Sequence, residues 1–244
     1  LQPATLVVRV GGYEAEQLDY DSIQAAFDEA VAAGDVRRTD PGWGRGKIAF
    51  FLRSYGGNRV HVPGVDARTG EGNTEAASEG GRPTMRRERG SRKQRGLEHF
   101  DVVFCAPECG IRETVTIEGK KMITIDDYEA GKVYPDAVCY SFYPVDIHRP
   151  DQIEGHPLPP NVIPTIPLGA MLPRGSEFFA VAGRCVAGDQ QANSSYRVEA
   201  PCMAMGQAAG AAAVLAAQTG VDFEDMPMDS LRELLRQHNA IVPE

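Results

Sequence analysis

Alternating apolar and polar positions open the chain. Residues 4–10, "ATLVVRV", are β-branched and predict a strand closed by Gly11 and Gly12. The period then lengthens. In "DSIQAAFDEAVAAG", Ile23, Phe27, Ala30 and Val31 recur on one helical face, with Asp21 placed to cap the start and Gly34 to stop the helix. "TDPGWGRG" has the Pro and Gly content of a loop. "KIAFFLRSY" and "NRVHVPGVDA" are expected as strands divided by a Gly56-Gly57 turn. "FDVVFCA" predicts another strand. "GIRETVTIEGKKMITIDDYEAG" predicts a strand, a Gly-Lys turn, a second strand and a helix capped by Thr124 or Asp126.

Residues 148–173 hold seven prolines and are expected to run irregularly over a surface. "SEFFAVAGRCVAGD" predicts a short buried strand entering a Gly-rich turn. "APCMAMGQAAGAAAVLAAQTG" predicts a helix stopped by Gly220. "DSLRELLRQHNA" predicts a last helix with Leu231, Leu234 and Leu235 inward. No internal repeat is evident. The pattern is that of an α/β chain whose first part is α+β, long enough for one large domain or two modest ones.

Composition narrows the partners. The 25 basic and 34 acidic residues leave a net charge of −9, which argues against nucleic acid as the partner of the whole surface. As a sequence, the chain shows no apolar run long enough to suggest a membrane partner. A local exception in charge lies at 82–95, where Arg82, Arg86, Arg87, Arg89, Arg92, Lys93 and Arg95 face only Glu88. A solvated helix or loop is the plain reading and a docking surface for an acidic group the alternative, with no aromatic residues interleaved to hold single strands. Cys105, Cys109, Cys139, Cys185 and Cys202 suggest no disulfide framework and fit a reducing, cytoplasmic setting. "CAPEC" reads as two ordinary thiols, and no metal is expected. A start at Leu1 reads as a fragment, a processed product or one piece of a larger polypeptide.

The chemistry concentrates at 181–220. A strand, a turn and a helix opening on unpaired N–H groups would cradle an anion. The helix is expected to start at 200–202, where Pro201 suits the first turn. Gly206, Gln207 and Gly210 fall on or near one face, where missing side chains permit close approach. Arg184 and Asp189 stand beside the helix start, able to pair with a phosphate and a sugar hydroxyl. The alternative is a small-residue helix packed tightly on a sheet, with both charges at the surface.

The segment "FFAVAGRCVAGDQQANSSYRVEAPCMAMGQAAGAAAVLA" resembles the C-terminal, flavin-contacting part of the FAD-dependent oxidoreductase family, whose fold is two-domain and glutathione-reductase-like. "LQPATLVVRVGG", "EGNTEA", "GIRET", "DYEAG", "PDAVCYSFYPVDIH" and "MLPRG" extend the resemblance in the family's order. It implies FAD as cofactor, with Gly183, Arg184, Asp189, Arg197, Cys202, Met203, Gly206, Gln207 and Ala208 as its contacts. It also implies a substrate or cap domain at 1–168, the C-terminal part of an FAD-binding domain at 169–220 and a C-terminal helix at 221–244. Hydride transfer between a small organic substrate and the flavin follows, with the start of the small-residue helix near the N1–C2=O edge.

Two departures touch the substrate side: "VTI" after "GIRET", and "IPTIPLGAMLP" where an I-P-Y-R-like stretch is expected. A third is the lack of G-x-G-x-x-G, which implies a βαβ half supplied by another chain or segment. An apolar patch around 181–220 and a hetero- or homo-oligomer are expected to go with it. His148 is the candidate general base, with Arg112 and Asp146 beside it; the alternatives are a structural histidine and an internal Arg112–Glu113 pair. Cys202 is read as a packing residue before a redox thiol. Two other functions compete: a non-catalytic docking module that retains the fold, and a metal-assisted hydrolase built on Asp146, His148 and His156, which lacks a third ligand at convincing spacing.

Overall fold

The computed structural model describes residues 1–42, 46–150 and 152–244, and the side chains of 83–85 and 87–89 stand outside the described set. The middle of "TDPGWGRG" and the side chains of Arg87, Glu88 and Arg89 therefore lie outside the described residues. The chain forms two compact units. Unit 1 is Leu1–Thr114 with His148–Glu154, and unit 2 is Val115–Ile147 with Gly155–Glu244. This division does not follow the boundary at 168: residues 115–147 and 155–168 pack with the C-terminal helices.

Unit 1 runs β1 (Ala4–Gly11), α1 (Tyr20–Ala33), α2 (Ile48–Arg53), β2 (Gly56–Val62), α3 (Gly70–Ser91) and β3 (Asp101–Cys105). The strands make one antiparallel sheet in the order β2-β1-β3. Leu6, Val8 and Val10 of β1 face the core with Ile23, Phe27, Phe51, Leu52 and Phe100, as the alternation requires. Gly56 and Gly57 do not form the expected turn. They belong to β2, with φ of 91° and 93°, where the pairing with β1 bulges. A Cβ on Gly56 would stand 2.3 Å from the Val8 carbonyl oxygen.

The cap of α1 is Asp19, whose carboxylate accepts from the Ser22 N–H at 3.1 Å. Asp21 falls inside the first turn, where its charge still meets the positive end of the helix. Gly34 stops α1 in the left-handed conformation, as expected. "KIAFFLRSY" is a helix rather than a strand. Ile48, Phe51 and Leu52 are buried at helical spacing, and Gln24 Oε1 accepts the first-turn N–H of Ile48 at 3.1 Å. Tertiary burial overrides the β propensity of the aromatic and branched residues.

Basic residues on α3 and just after it are not all solvated. Arg86 grips the Asp40 carboxylate through Nε at 3.1 Å and Nη2 at 2.9 Å, and the Asp40 side chain is only 2% exposed. Arg92 Nε donates to the Phe100 carbonyl at 2.8 Å. These two guanidinium groups hold the loops around the sheet.

Unit 2 carries α4 (Ile125–Glu129), β4 (Ala137–Tyr140), β7 (Thr165–Pro167), α5 (Gln190–Tyr196), α6 (Glu199–Thr219) and α7 (Met228–Gln237); β5 (Val145–His148) and β6 (Ile153–His156) form a two-stranded sheet. Thr124 caps α4 as expected, accepting from Asp127 N–H at 3.2 Å. The two strands expected between 110 and 124 do not form among the described residues. Ile117, Lys120, Lys121 and Ile123 donate in turn to Cys185, Leu172, Gly169 and Ala187, so the partner changes too often for a ladder to accumulate. The proline-rich stretch is more regular than its composition implies, since β6 and β7 lie in it and β7 pairs antiparallel with β4. "SEFFAVAGRCVAGD" is irregular rather than a buried strand, and Phe178 and Phe179 are exposed.

Helix α6 buries Pro201, Met205, Ala208, Ala212 and Ala216 as one stripe and packs on β4 and α7. By length and apolarity alone it is long enough to cross a membrane, which the sequence reading did not mark. Leu231 and Leu235 of α7 are buried and Leu234 is half-buried.

Replacing Arg86 by Met removes both guanidinium bonds to the buried Asp40 carboxylate. Urea unfolding is expected to show a loss of about 3 kcal/mol, partly recovered when Asp40→Asn is added to remove the buried charge.

Candidate functional site

Each unit holds one of the two groups of candidate residues. In unit 2 the stretch 181–189 is held by main-chain bonds. Val181 N–H donates to Met171 and Ala187 N–H to Ala170, while Asp189 N–H donates to Ile123, all at 2.8–3.0 Å. Gly183 sits at φ 93° with nothing within 4 Å of where a Cβ would stand. Arg184 is exposed, and its carbonyl accepts from Asn193 Nδ2 at 3.0 Å.

Asp189 is engaged twice. One carboxylate oxygen accepts from Ala192 N–H at 2.8 Å, capping α5, and the other accepts from Ile125 N–H at 2.7 Å, at the start of α4. The residue expected to meet a sugar hydroxyl thus has a capping role. Because α5 stands between the turn and α6, the expected strand–turn–helix cradle is not built. Helix α6 starts at Glu199, an acid in its first turn, with no side-chain cap from Val198.

The cofactor candidates on α6 divide between faces. Ala208 is fully buried in the core, so it lines no ligand face. Met203 is 75% exposed, Gly206 and Gly210 have nothing within 4 Å of a notional Cβ, and Gln207 is exposed with Nε2 donating to the His238 carbonyl at 3.2 Å. These four share one bare helical face. Cys202 is half-buried, and burial pushes its thiol above the ordinary range, so it stays protonated and behaves as a packing residue. Phe178, Phe179, Met203 and Val214 are exposed large apolar side chains in this part of unit 2.

Arg197, expected at the cofactor, is buried instead. Its Nη2 donates to the Asp146 carbonyl at 2.8 Å and lies 3.7 Å from the Asp146 carboxylate, while Nε donates to the Ser194 carbonyl at 3.3 Å. Asp146 N–H donates to Ser194 Oγ at 3.1 Å. The structure therefore brings Asp146 and Arg197 together as one polar cluster of unit 2.

His148 belongs to unit 1 and is buried. Its Nδ1 lies 2.9 Å from Nε2 of His61, also buried, and its backbone N–H donates to Gln2 Oε1 at 2.7 Å. The His61 Nδ1 faces the Pro150 carbonyl at 3.4 Å. Arg112 donates to the Pro3 carbonyl at 2.7 Å and to Thr5 Oγ1. The Glu113 carboxylate accepts from both N–H and Nε2 of Gln2 at 2.9 Å. Burial, Arg112 and His148 together push His61 down to about 4. Sequence reasoning missed His61. Its only signal was a histidine on a strand, and its pairing with Thr5 of β1 puts it on the sheet face opposite Leu6 and Val60, where residues 148–150 cover it.

The metal triad does not gather: Asp146 meets Arg197, His148 meets His61, and His156 meets Glu129. Among the described residues no group of three or more His, Cys, Asp or Glu is placed to hold a metal.

For FAD, the bare face of α6 and the open backbone at Gly183 fit a flat group approaching closely. The start of α6 does not fit the phosphates, since Glu199 occupies the first turn and no glycine-rich strand-to-helix turn precedes it. In comparisons with known proteins, the sequence model of the FAD dependent oxidoreductase family matches residues 1–235. No curated protein and no solved structure gives a match.

The unfolded chain takes up a proton on His61 near pH 6.5, whereas the folded chain refuses it until about 4. Stability is therefore lost as pH falls through that window, by about 3 kcal/mol for this group. Denaturant unfolding at pH 7 and pH 4 is expected to show this loss in the native protein and a smaller one in His61→Phe.

Proposed function

A chain matched over residues 1–235 belongs to the FAD dependent oxidoreductase family, and on that premise we propose that unit 2 completes a flavin site that serves the oxidation of a small organic substrate. The observation that carries the reading is the bare face of α6, where Met203 and Gln207 are exposed and Gly206 and Gly210 leave open space. A helix that served only its own core would have no use for two glycines on its outer side, since each costs about 1 kcal/mol relative to Ala.

FAD, when bound, would supply the acceptor for a hydride, two electrons and a proton, from an organic substrate. The chain's residues do the rest. Gly183, Gly206 and Gly210 leave room for a flat ring, and the positive end of α6 favours negative charge nearby by about 0.3–1 kcal/mol. Arg184 is the cation for a phosphate. Oxidation of such a substrate would also release a proton from its O–H or N–H, and the His148 imidazole is the candidate acceptor. Arg112 and Asp146 are positioning groups: Arg112 holds the start of β1 beside the histidine pair, and Asp146 holds Arg197. The phosphates, for which this sequence has no G-x-G-x-x-G, are held by a βαβ half outside it, and Phe178 and Phe179 belong to the surface that partner covers.

Titration with FAD, followed by flavin absorbance and fluorescence, tests the reading. Weak binding by the chain alone and tight binding once a βαβ half is supplied are expected. Tight stoichiometric binding by the chain alone would overturn the partner, and no binding in either case would overturn the flavin site. Gly206→Leu is expected to leave the melting temperature unchanged or higher, because its side chain enters open space and Leu is the better helix former. Flavin affinity of the assembled protein should fall by roughly tenfold or more, about 1.4 kcal/mol. Unchanged affinity would sink the assignment of this face.

A further inference from the structure

The flavin reading leaves the basic stretch 82–95 unused, and one cavity of unit 1 draws on it. About 540 Å³ in volume, it lies between α1, the start of α2 and the end of α3. Such a volume suits a small organic molecule. Ile23, Phe27, Ala30, Val36 and Ile48 form an apolar wall that is continuous with the core on the Leu6 and Val8 face of the sheet. The histidine pair lies on the opposite face, so the two do not share a site. Arg86, Lys93 and Gln94 bring polar groups from the α3 side. The Arg86 guanidinium is already fixed: the buried Asp40 carboxylate takes Nε and Nη2, and among the described residues nothing meets Nη1. Lys93 is exposed and has no ion-pair partner among the described residues. Gly90, one turn on from Arg86, adds no side chain to the wall, and nothing lies within 4 Å of where its Cβ would stand.

We propose that this cavity binds a small monocarboxylate with a compact apolar body, its carboxylate on Arg86 Nη1 and Lys93 and its body against Phe27, Ala30 and Val36. Asp40 has already ordered the guanidinium, so a ligand meets a donor whose side-chain entropy is spent. Burial of the apolar body supplies the rest of the affinity. The α1 side limits the charge that can enter. Glu29 and Asp35 are exposed acids there, and they repel the second negative charge of a phosphate or a dicarboxylate. An amine would find only these solvated acids, where an ion pair gains little, and would set its charge against Arg86 and Lys93. The site lies wholly in unit 1 and needs no cofactor, so it stands or falls apart from the flavin reading.

Titration of the 15N-labelled full chain with phenylacetate, followed by amide chemical shifts, tests the site without flavin. Saturable shifts at Phe27, Ala30, Gly90 and Gln94 are expected, with a dissociation constant of about a millimolar or tighter. Phenylethanol and phenethylamine have the same body with a neutral or a positive head. Each is expected to bind at least about fivefold more weakly than the acid. Lys93→Gln should weaken phenylacetate by up to about fivefold, as befits an exposed ion pair. Gly90→Leu should abolish the shifts by filling the cavity. No saturable shift at these positions, or shifts only elsewhere, would overturn the site. Equal binding of the three compounds, or tighter binding of the amine, would overturn the carboxylate. The ligand series needs no variant, so a variant that fails to fold leaves the proposal decidable.

Discussion

One carboxylate organises unit 2. Asp189 receives the N–H of Ile125 at the start of α4 and the N–H of Ala192 inside α5, so two helix starts share one anion. Each bond satisfies a donor that helix geometry leaves unpaired, and the charge is favoured by both helix dipoles. Asp189 N–H in turn donates to the Ile123 carbonyl, and Ile123 N–H to Ala187. The irregular stretch 181–189 thereby has fixed ends although it forms no strand. Gly188 permits the closeness, since a Cβ there would stand 2.2 Å from Tyr196 Oη.

The small residues of α6 serve two opposed needs. On the inner face Ala208, Ala212 and Ala216 let the helix lie close to the unit 2 core, where Met205 supplies the larger volume. On the outer face glycines remove side chains where the fold has nothing to pack. A composition rich in Ala and Gly therefore gives no hint of which residue serves which face. The burial of Ala208 beside the openness of Gly206, two positions away, separates them.

Periodicity made much of the fold legible. The strand at 4–10, the stop at Gly34, the cap at Thr124 and the helix ended by Gly220 follow from patterns within a few residues. What escaped depends on distant partners. Residues 48–53 became a helix because Gln24 and the sheet face were there to receive Ile48, Phe51 and Leu52. Residues 110–124 and 176–189 bond to each other and to 169–172 one contact at a time, which no local pattern encodes. His61 escaped for the same reason, its partner being 87 residues further on. The family was legible through the 181–210 segment, while the roles of Asp189 and Arg197 were not, because a capping carboxylate and a buried guanidinium use the same letters as ligand contacts.

Unit 1 is discontinuous: it begins at Leu1 and is finished only by the return of residues 148–154. Gln2 meets His148 across a separation of 146 residues. During synthesis, the polar groups at the head of β1 emerge long before the segment that seals them, an interval on the order of ten seconds at ordinary elongation rates. Closing so long a loop costs little extra free energy but slows the search, since non-local contacts reward the chain only after the closure entropy has been spent. The newly made sheet therefore has an unsealed end for that interval, and this end is where a chaperone or a neighbouring nascent strand would find it.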